Sequence, residues 1–215
     1  MAKRLVRFFE SYGEENTDDV IDAAIERLKN GDIKSVVVAS CTGKTAIRVT
    51  EKLRKSKMKV DVVSVAGPQE YWKRVYPENP LLGDRERKIL QKLGVRIIDS
   101  IMEPMQRPLT FRNWWAKKTI KLDGEKADLF WMTLICVGGH GFRTAIESVF
   151  MAVQAQTIKE GEAVLSIAGT ETGADSAIVM KATKFENVVG PDPDKRMKIE
   201  EILAMPKRTT WIGYG

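Results

Sequence analysis

Hydroxyl groups, a glycine and a lysine lie together at residues 40–45, directly after an apolar run at residues 36–39. A strand, a turn and a helix start of this composition present hydroxyls, a lysine and helix N-terminal N–H groups, which together suit one phosphate. A Walker A triphosphate loop requires glycine where this chain has Val38. The predicted phosphate-binding residues are Ser40, Thr42, Gly43, Lys44 and Thr45. The alternative is that Thr42 only caps the helix.

A second glycine-rich stretch, residues 138–141, precedes a predicted helix. The backbone N–H groups of Gly139, His140 and Gly141 would meet an anion there. His140 is the only histidine in the chain and is a candidate general acid or base. The alternative is a flexible turn with a loop histidine. If this stretch and residues 40–45 lie at the carboxyl ends of neighbouring strands, they share one crevice, where open α/β sheets bind ligands.

A third polar stretch, residues 169–176, follows an apolar strand-like run. Asp175 is predicted to accept hydrogen bonds from ribose or ribityl hydroxyls, and it is the second candidate proton-transfer group. The predicted ligand contacts here are Gly169, Thr170, Gly173, Ala174 and Asp175. Because aspartate and glycine are common in turns, a purely structural turn is the alternative.

The elements that must position these stretches alternate between strand and helix. Apolar spacing predicts helices at 18–29, 85–93 and 142–157 and after Gly43, with a last short helix at 199–204. Short apolar runs predict strands at 34–39, 60–65, 95–98, 164–168 and 177–180. Regular structure also returns at 127–137, after an excursion at about 100–126. This order predicts a single α/β domain over residues 1–215, a three-layer α/β/α sandwich with a mainly parallel sheet.

Composition limits the function classes. The 215 residues are 43% hydrophobic and 30% charged, with a formal net charge of +6, as in an ordinary globular protein with a weak preference for anions. Two cysteines and one histidine have no metal-ligand spacing, so we expect no metal site and a reducing compartment. The longest apolar stretch, residues 129–137, is shorter than the ~20 residues of a membrane helix. We therefore expect a cytoplasmic protein without a membrane partner.

The ordered set of motifs resembles a known family. Residues 40–46 are similar to the phosphate-gripping loop of the C-terminal α/β domain of pyruvate kinase. A larger part of the chain resembles a family of stand-alone, mostly archaeal proteins similar to that domain; the matching stretches are residues 16–17 with 35–46, 141–152, 167–181 and 199–208. The resemblance implies the fold of that domain and ligand binding without kinase chemistry, since that chemistry belongs to a barrel of roughly 250 residues.

Three functions stay open at this point. The first is binding of a phosphorylated small molecule, either a sugar phosphate or a mononucleotide such as FMN, with Thr42→Val and Gly43→Val together expected to weaken binding without unfolding the protein. The second is an enzyme acting on such a ligand. The third is a single-stranded nucleic-acid-binding protein that uses aromatic and basic residues at 111–118.

Other residues receive structural interpretations. Arg143 and Glu147, four residues apart on a predicted helix, are expected to form a surface ion pair. Cys41 is expected to be a buried, inert thiol, although a nearby helix N-terminus would lower its pKa. The additional tryptophans suggest a homo-oligomer.

Overall fold

The computed structural model describes residues 5–67, 69–75, 77–78, 81–99, 109–113, 118–122, 125–190 and 192–208. The described elements alternate in the order that the sequence predicts for most of the chain. They are β1 (Arg7–Phe9), α1 (Thr17–Leu28), β2 (Ser35–Ala39), α2 (Lys44–Lys55), β3 (Asp61–Val65), α3 (Gln69–Val75), α4 (Asp84–Lys92), β4 (Arg96–Ile98), β5 (Leu109–Asn113), β6 (Lys118–Leu122), α5 (Glu125–Gln154), β7 (Ala163–Ala168), β8 (Ser176–Lys181) and β9 (Lys198–Pro206).

Seven of these strands form one mixed sheet in the order β1-β9-β8-β7-β2-β3-β4. The pairs β1–β9, β7–β2, β2–β3 and β3–β4 are parallel, whereas β8 is antiparallel to both β7 and β9. The prediction of an α/β fold with a mainly parallel sheet is confirmed. In the predicted excursion, β5 and β6 form a separate antiparallel pair.

Helices cover both faces of the sheet, so the predicted three layers are present. Side chains alternate along each strand, and in β2 this sends Val36 and Val38 to one face and Val37 to the other. The first face packs against α1, α2 and α4, and the second packs against α5. All three valines are completely buried, and each such burial stabilises the fold by about 1.5–3 kcal/mol.

The chain reverses its direction of travel across the sheet between β2 and β7. From β2 it passes through α2 to β3 and on to β4, and it then returns by α5 to β7 on the other side of β2. Because α2 and α5 cover opposite faces, the loops that follow the parallel neighbours β2 and β7 lie at the point where the chain changes from one face to the other. Open α/β sheets bind ligands at such switch points.

Two sequence predictions differ from the structure. Residues 199–204 belong to strand β9, and the predicted helix is wrong. β9 pairs with β8 over residues 198–204 and with β1 over residues 204–206, and this pairing overrides the helix propensity of Glu200 and Glu201. Residues 127–137 belong to the long helix α5, which bends at Gly139, where φ is 83° and ψ is −179°. The stretch 138–141 therefore lies inside a bent helix and does not follow a strand. No helix in the described ranges has the length and apolar character of a membrane span.

Candidate functional site

The three predicted ligand-binding stretches lie at the same edge of the sheet. The loop at residues 40–43 follows β2 and the loop at residues 169–175 follows its parallel neighbour β7. The bend of α5 reaches the second loop, because the N–H of Gly141 donates a hydrogen bond to Oγ1 of Thr170 over 3.2 Å. The three stretches are therefore neighbours, although residues 138–141 reach this edge from a helix bend and not from the end of a strand; the shared crevice stays a prediction.

Hydroxyl groups shape the first loop from within. Oγ of Ser40, which is buried, accepts a hydrogen bond from the N–H of Ala46 over 3.2 Å, and Oγ1 of Thr42 accepts one from Lys44 over 3.4 Å. Both hydroxyls thus satisfy N–H groups in the first turn of α2, as in helix capping. The N-cap residue of α2 is Gly43, so Thr42 accepts from the first turn without being the cap itself.

Two backbone N–H groups of this loop remain available to donate to an anion. The backbone N–H groups of Thr42 and Thr45 donate no hydrogen bond to any of the residues that the structure describes. Lys44, between them in the sequence, is exposed. Unpaired N–H groups at the positive end of a helix beside a lysine form an arrangement that suits one phosphate.

Gly43 has a packing role that the sequence analysis missed. Its φ of 82° lies in the left-handed region, and its N–H donates to the carbonyl of Ser40 over 3.1 Å. A Cβ on Gly43 would lie 2.7 Å from Cδ1 of Leu82, two residues before α4. We therefore expect Gly43→Val to cost some stability, because valine at this position has an unfavourable φ and must displace Leu82; that the variant stays folded is still a prediction.

Asp175 is wholly buried at the base of the second loop. Its Oδ2 accepts a hydrogen bond from the N–H of Thr170 over 2.8 Å, and its Oδ1 accepts one from Oγ of Ser176 over 2.8 Å. Burial raises the pKa of the Asp175 carboxyl, and these hydrogen bonds oppose the increase. Since Asp175 has 0% exposure, its carboxylate presents no surface to a molecule in the crevice.

The second half of α5 brings a charged pair towards the crevice. Nη2 of Arg143 lies 3.1 Å from Oε2 of Glu147, and the side chains are only 17% and 10% exposed. The guanidinium of Arg143 also lies 5.3 Å from the ring centroid of Trp131. The predicted pair forms, but its predicted surface position is wrong, because α5 packs on the sheet and Arg143 lies against the ring of Trp131.

Cys41 links the first loop to that charged pair. The residue is exposed, contrary to the expectation of a buried thiol. Even so, protein surrounds the sulfur sufficiently that burial raises the pKa of the Cys41 thiol to about 11, and the negative charge of Glu147 adds to the increase. A helix N-terminus would have the opposite effect on this pKa, so burial outweighs it here.

The remaining predicted residues also lie at this edge. His140 is half-buried in the bend of α5, and Gly169 lies directly after β7. A depression of about 510 Å³ lies at the opposite edge, where Ser35, Asp61 and Arg96 begin β2, β3 and β4. We place the site at the carboxyl edge, because the unpaired N–H groups and the switch point are there.

Thr17 and Trp131 are structural contributors that the sequence analysis did not assign to the site. Oγ1 of Thr17 accepts a hydrogen bond from the N–H of Ala174 over 2.9 Å, and Trp131 packs under Arg143. A signal for Thr17 was its position at a predicted helix start, whereas Trp131 lies in an apolar run that predicts only core packing.

The fold defines a class: a three-layer α/β protein with a mixed sheet and polar loops at its switch point. No family model matches the sequence.

Proposed function

We propose that the protein binds a phosphorylated small molecule in the crevice between β2 and β7. The phosphate is held by the loop at residues 40–45, and the rest of the ligand lies against the bend of α5 and the loop at residues 169–175. A ligand with an anionic end and a hydroxyl-bearing body, either a mononucleotide such as FMN or a sugar phosphate, suits this division. The fold of the pyruvate kinase C-terminal domain, which the sequence resembles, is part of this proposal.

One observation carries the proposal. The N–H groups of Thr42 and Thr45, beside exposed Lys44, are unpaired among the described residues and lie at the start of α2. If the loop served only as a helix cap, protein acceptors would pair with these N–H groups, as Oγ of Ser40 pairs with the N–H of Ala46. The position of the loop at the switch point gives independent support.

The test is titration of FMN, monitored by flavin fluorescence, into wild-type protein and a matched pair of variants. Lys44→Met removes the cation at the start of α2, and Lys55→Met removes an equally exposed cation from the end of the same helix. We expect Lys44→Met to weaken FMN binding about tenfold, since one charge-assisted hydrogen bond contributes about 1.5–3 kcal/mol. Lys55→Met should bind like the wild type.

Riboflavin, which lacks the phosphate, separates the two ends of the ligand. Its weaker binding should be the same in both variants. Equal FMN affinity in Lys44→Met and wild-type protein would place the phosphate elsewhere. The same titrations with ribose 5-phosphate replacing FMN would show whether the site takes a sugar phosphate.

The other two functions stay predictions. For an enzyme, half-buried His140 is the remaining candidate for proton transfer, because Asp175, the second predicted group, has 0% exposure and does not reach a bound molecule. The segment predicted to bind nucleic acid falls on residues 111–118, of which 114–117 lie outside the described residues.

A further inference from the structure

The loop between β7 and β8 contacts two other parts of the chain, one on each side. On one side, its Ala174 N–H donates to Oγ1 of Thr17, and that hydroxyl donates to the carbonyl of Glu14 over 2.6 Å. Gly173 approaches the same segment so closely that a Cβ there would lie 2.5 Å from Oγ1 of Thr17. Thr17 is only 1% exposed, so this contact belongs to the interior.

On the other side, the loop meets the bend of α5 through Thr170 and Asp175. Thr170 receives the hydrogen bond of Gly141 at its Oγ1, while its own N–H donates to the buried carboxylate of Asp175. Oγ of Ser176, the first residue of β8, also donates to that carboxylate. One buried carboxylate therefore joins the loop to strand β8.

The part of the loop that this carboxylate holds is strained. Glu171 has a φ of 63°, in the left-handed region that non-glycine residues avoid, and the N–H of Thr172 donates back to the carbonyl of Thr170 over 2.9 Å. Left-handed backbone costs an L-residue about 1–2 kcal/mol. Strain of this size persists where the surroundings fix it, and it is concentrated at functional sites.

We propose that Asp175 is a positioning residue, which fixes the Thr170–Thr172 turn in the shape that receives the hydroxyl-bearing body of the ligand and does not itself contact the ligand. This inference rests on the proposed function and assigns the two ends of the ligand to different parts of the site. The loop at residues 40–45 binds the phosphate, and the carboxylate of Asp175 acts on the other end of the ligand through Thr170.

Two probes distinguish the ends of the ligand. Inorganic phosphate occupies the first loop only, whereas FMN also reaches the second. In Asp175→Asn, an NH2 group replaces one of the two carboxylate oxygens, so the side chain can accept only one of the two hydrogen bonds that Thr170 and Ser176 donate to it. In calorimetric titrations at one pH, we expect the Kd for FMN to rise about tenfold and the Kd for inorganic phosphate to stay within about twofold, since one lost hydrogen bond of ordinary strength corresponds to such a factor.

A second pair of variants covers the case in which Asp175→Asn does not fold. Thr170→Val removes the hydroxyl that receives the Gly141 hydrogen bond, and Thr170→Ser keeps it. We expect Thr170→Val to show the same selective loss of FMN binding and Thr170→Ser to bind like the wild type. The melting temperature of each variant is measured alongside, so that a loss of fold is recognised separately.

Equal weakening of phosphate and FMN binding would overturn the inference, because Asp175 would then only maintain the fold. Unchanged FMN affinity in a folded Asp175→Asn protein would also overturn it. Wild-type protein that binds neither probe would overturn the proposed function and the inference with it, a result that the wild-type titrations show before any variant is made.

Discussion

Gly141 lies directly against the carboxylate of Asp175, although the two residues are on different elements. A Cβ on Gly141 would lie 2.0 Å from Oδ1 of Asp175 and 2.7 Å from Oγ of Ser176. The bend of α5 can therefore approach the β7–β8 loop only because residue 141 has no side chain. This contact joins the bend of α5 to the loop between β7 and β8.

Gly141→Ala should consequently destabilise the protein more than an ordinary glycine substitution. The new methyl group must displace a buried, hydrogen-bonded carboxylate, and we expect a loss of about 2 to 3 kcal/mol in the free energy of unfolding, measured by urea denaturation. Gly83→Ala is the matched control, since its Cβ would meet only the flexible end of Glu86 at 3.0 Å. We expect that control to cost less than about 1 kcal/mol. Similar losses in the two variants would contradict the close contact.

Most of the fold could be predicted because hydrophobic periodicity is a local signal. The β2 strand and the polar loop after it follow from residues 36–45 alone, and the structure confirms the strand. Strand β9 could not be predicted in the same way, because its conformation depends on pairing with β1 and β8, which are distant in sequence. The role of Asp175 could not be predicted either, because the sequence does not show that the surrounding residues bury it completely.

Cys41 should react slowly with alkylating reagents despite its exposure. With a pKa of about 11, its thiolate fraction at pH 8 is about 200-fold below that of a free cysteine with a pKa of 8.5. We expect iodoacetamide to modify native Cys136→Ser protein about 100-fold more slowly than the same protein in urea, measured by mass spectrometry. The native rate should rise up to about pH 11. Glu147→Gln should increase the rate only slightly, because burial is the larger cause of the raised pKa. A fast native reaction at pH 8 would contradict this assignment.

The Arg143–Glu147 pair should be strongly coupled because it is shielded from water. A double-mutant cycle with Arg143→Gln and Glu147→Gln should give a coupling free energy of about 1 to 2 kcal/mol in urea denaturation. The exposed pair of Arg48 and Asp18, whose closest atoms are 2.7 Å apart, is the control. Its coupling should be below about 1 kcal/mol, since solvent and salt screen exposed charges. Equal coupling in the two pairs would show that burial adds nothing to the Arg143–Glu147 interaction.

Asp175 should make stability depend on pH in a direction opposite to that of a salt-bridged aspartate. Burial raises the pKa of its carboxyl, while hydrogen bonds from Thr170 and Ser176 oppose this. The folded state therefore binds the proton more readily than the unfolded chain, where the pKa is about 3.9. The associated stability is fully present below that value and is lost as pH rises through the higher folded pKa.

The measurement is the free energy of unfolding of wild-type and Asp175→Asn protein between pH 4 and pH 7, by urea denaturation. The other titratable groups near the loop, Glu14, His140 and Glu171, are present in both proteins, so the difference between them isolates residue 175. The destabilisation caused by Asp175→Asn should be smaller at pH 7 than at pH 4, because the wild-type protein alone loses stability as its buried carboxyl ionises. A destabilisation that grows with pH would instead mean that the hydrogen bonds to the carboxylate outweigh its burial.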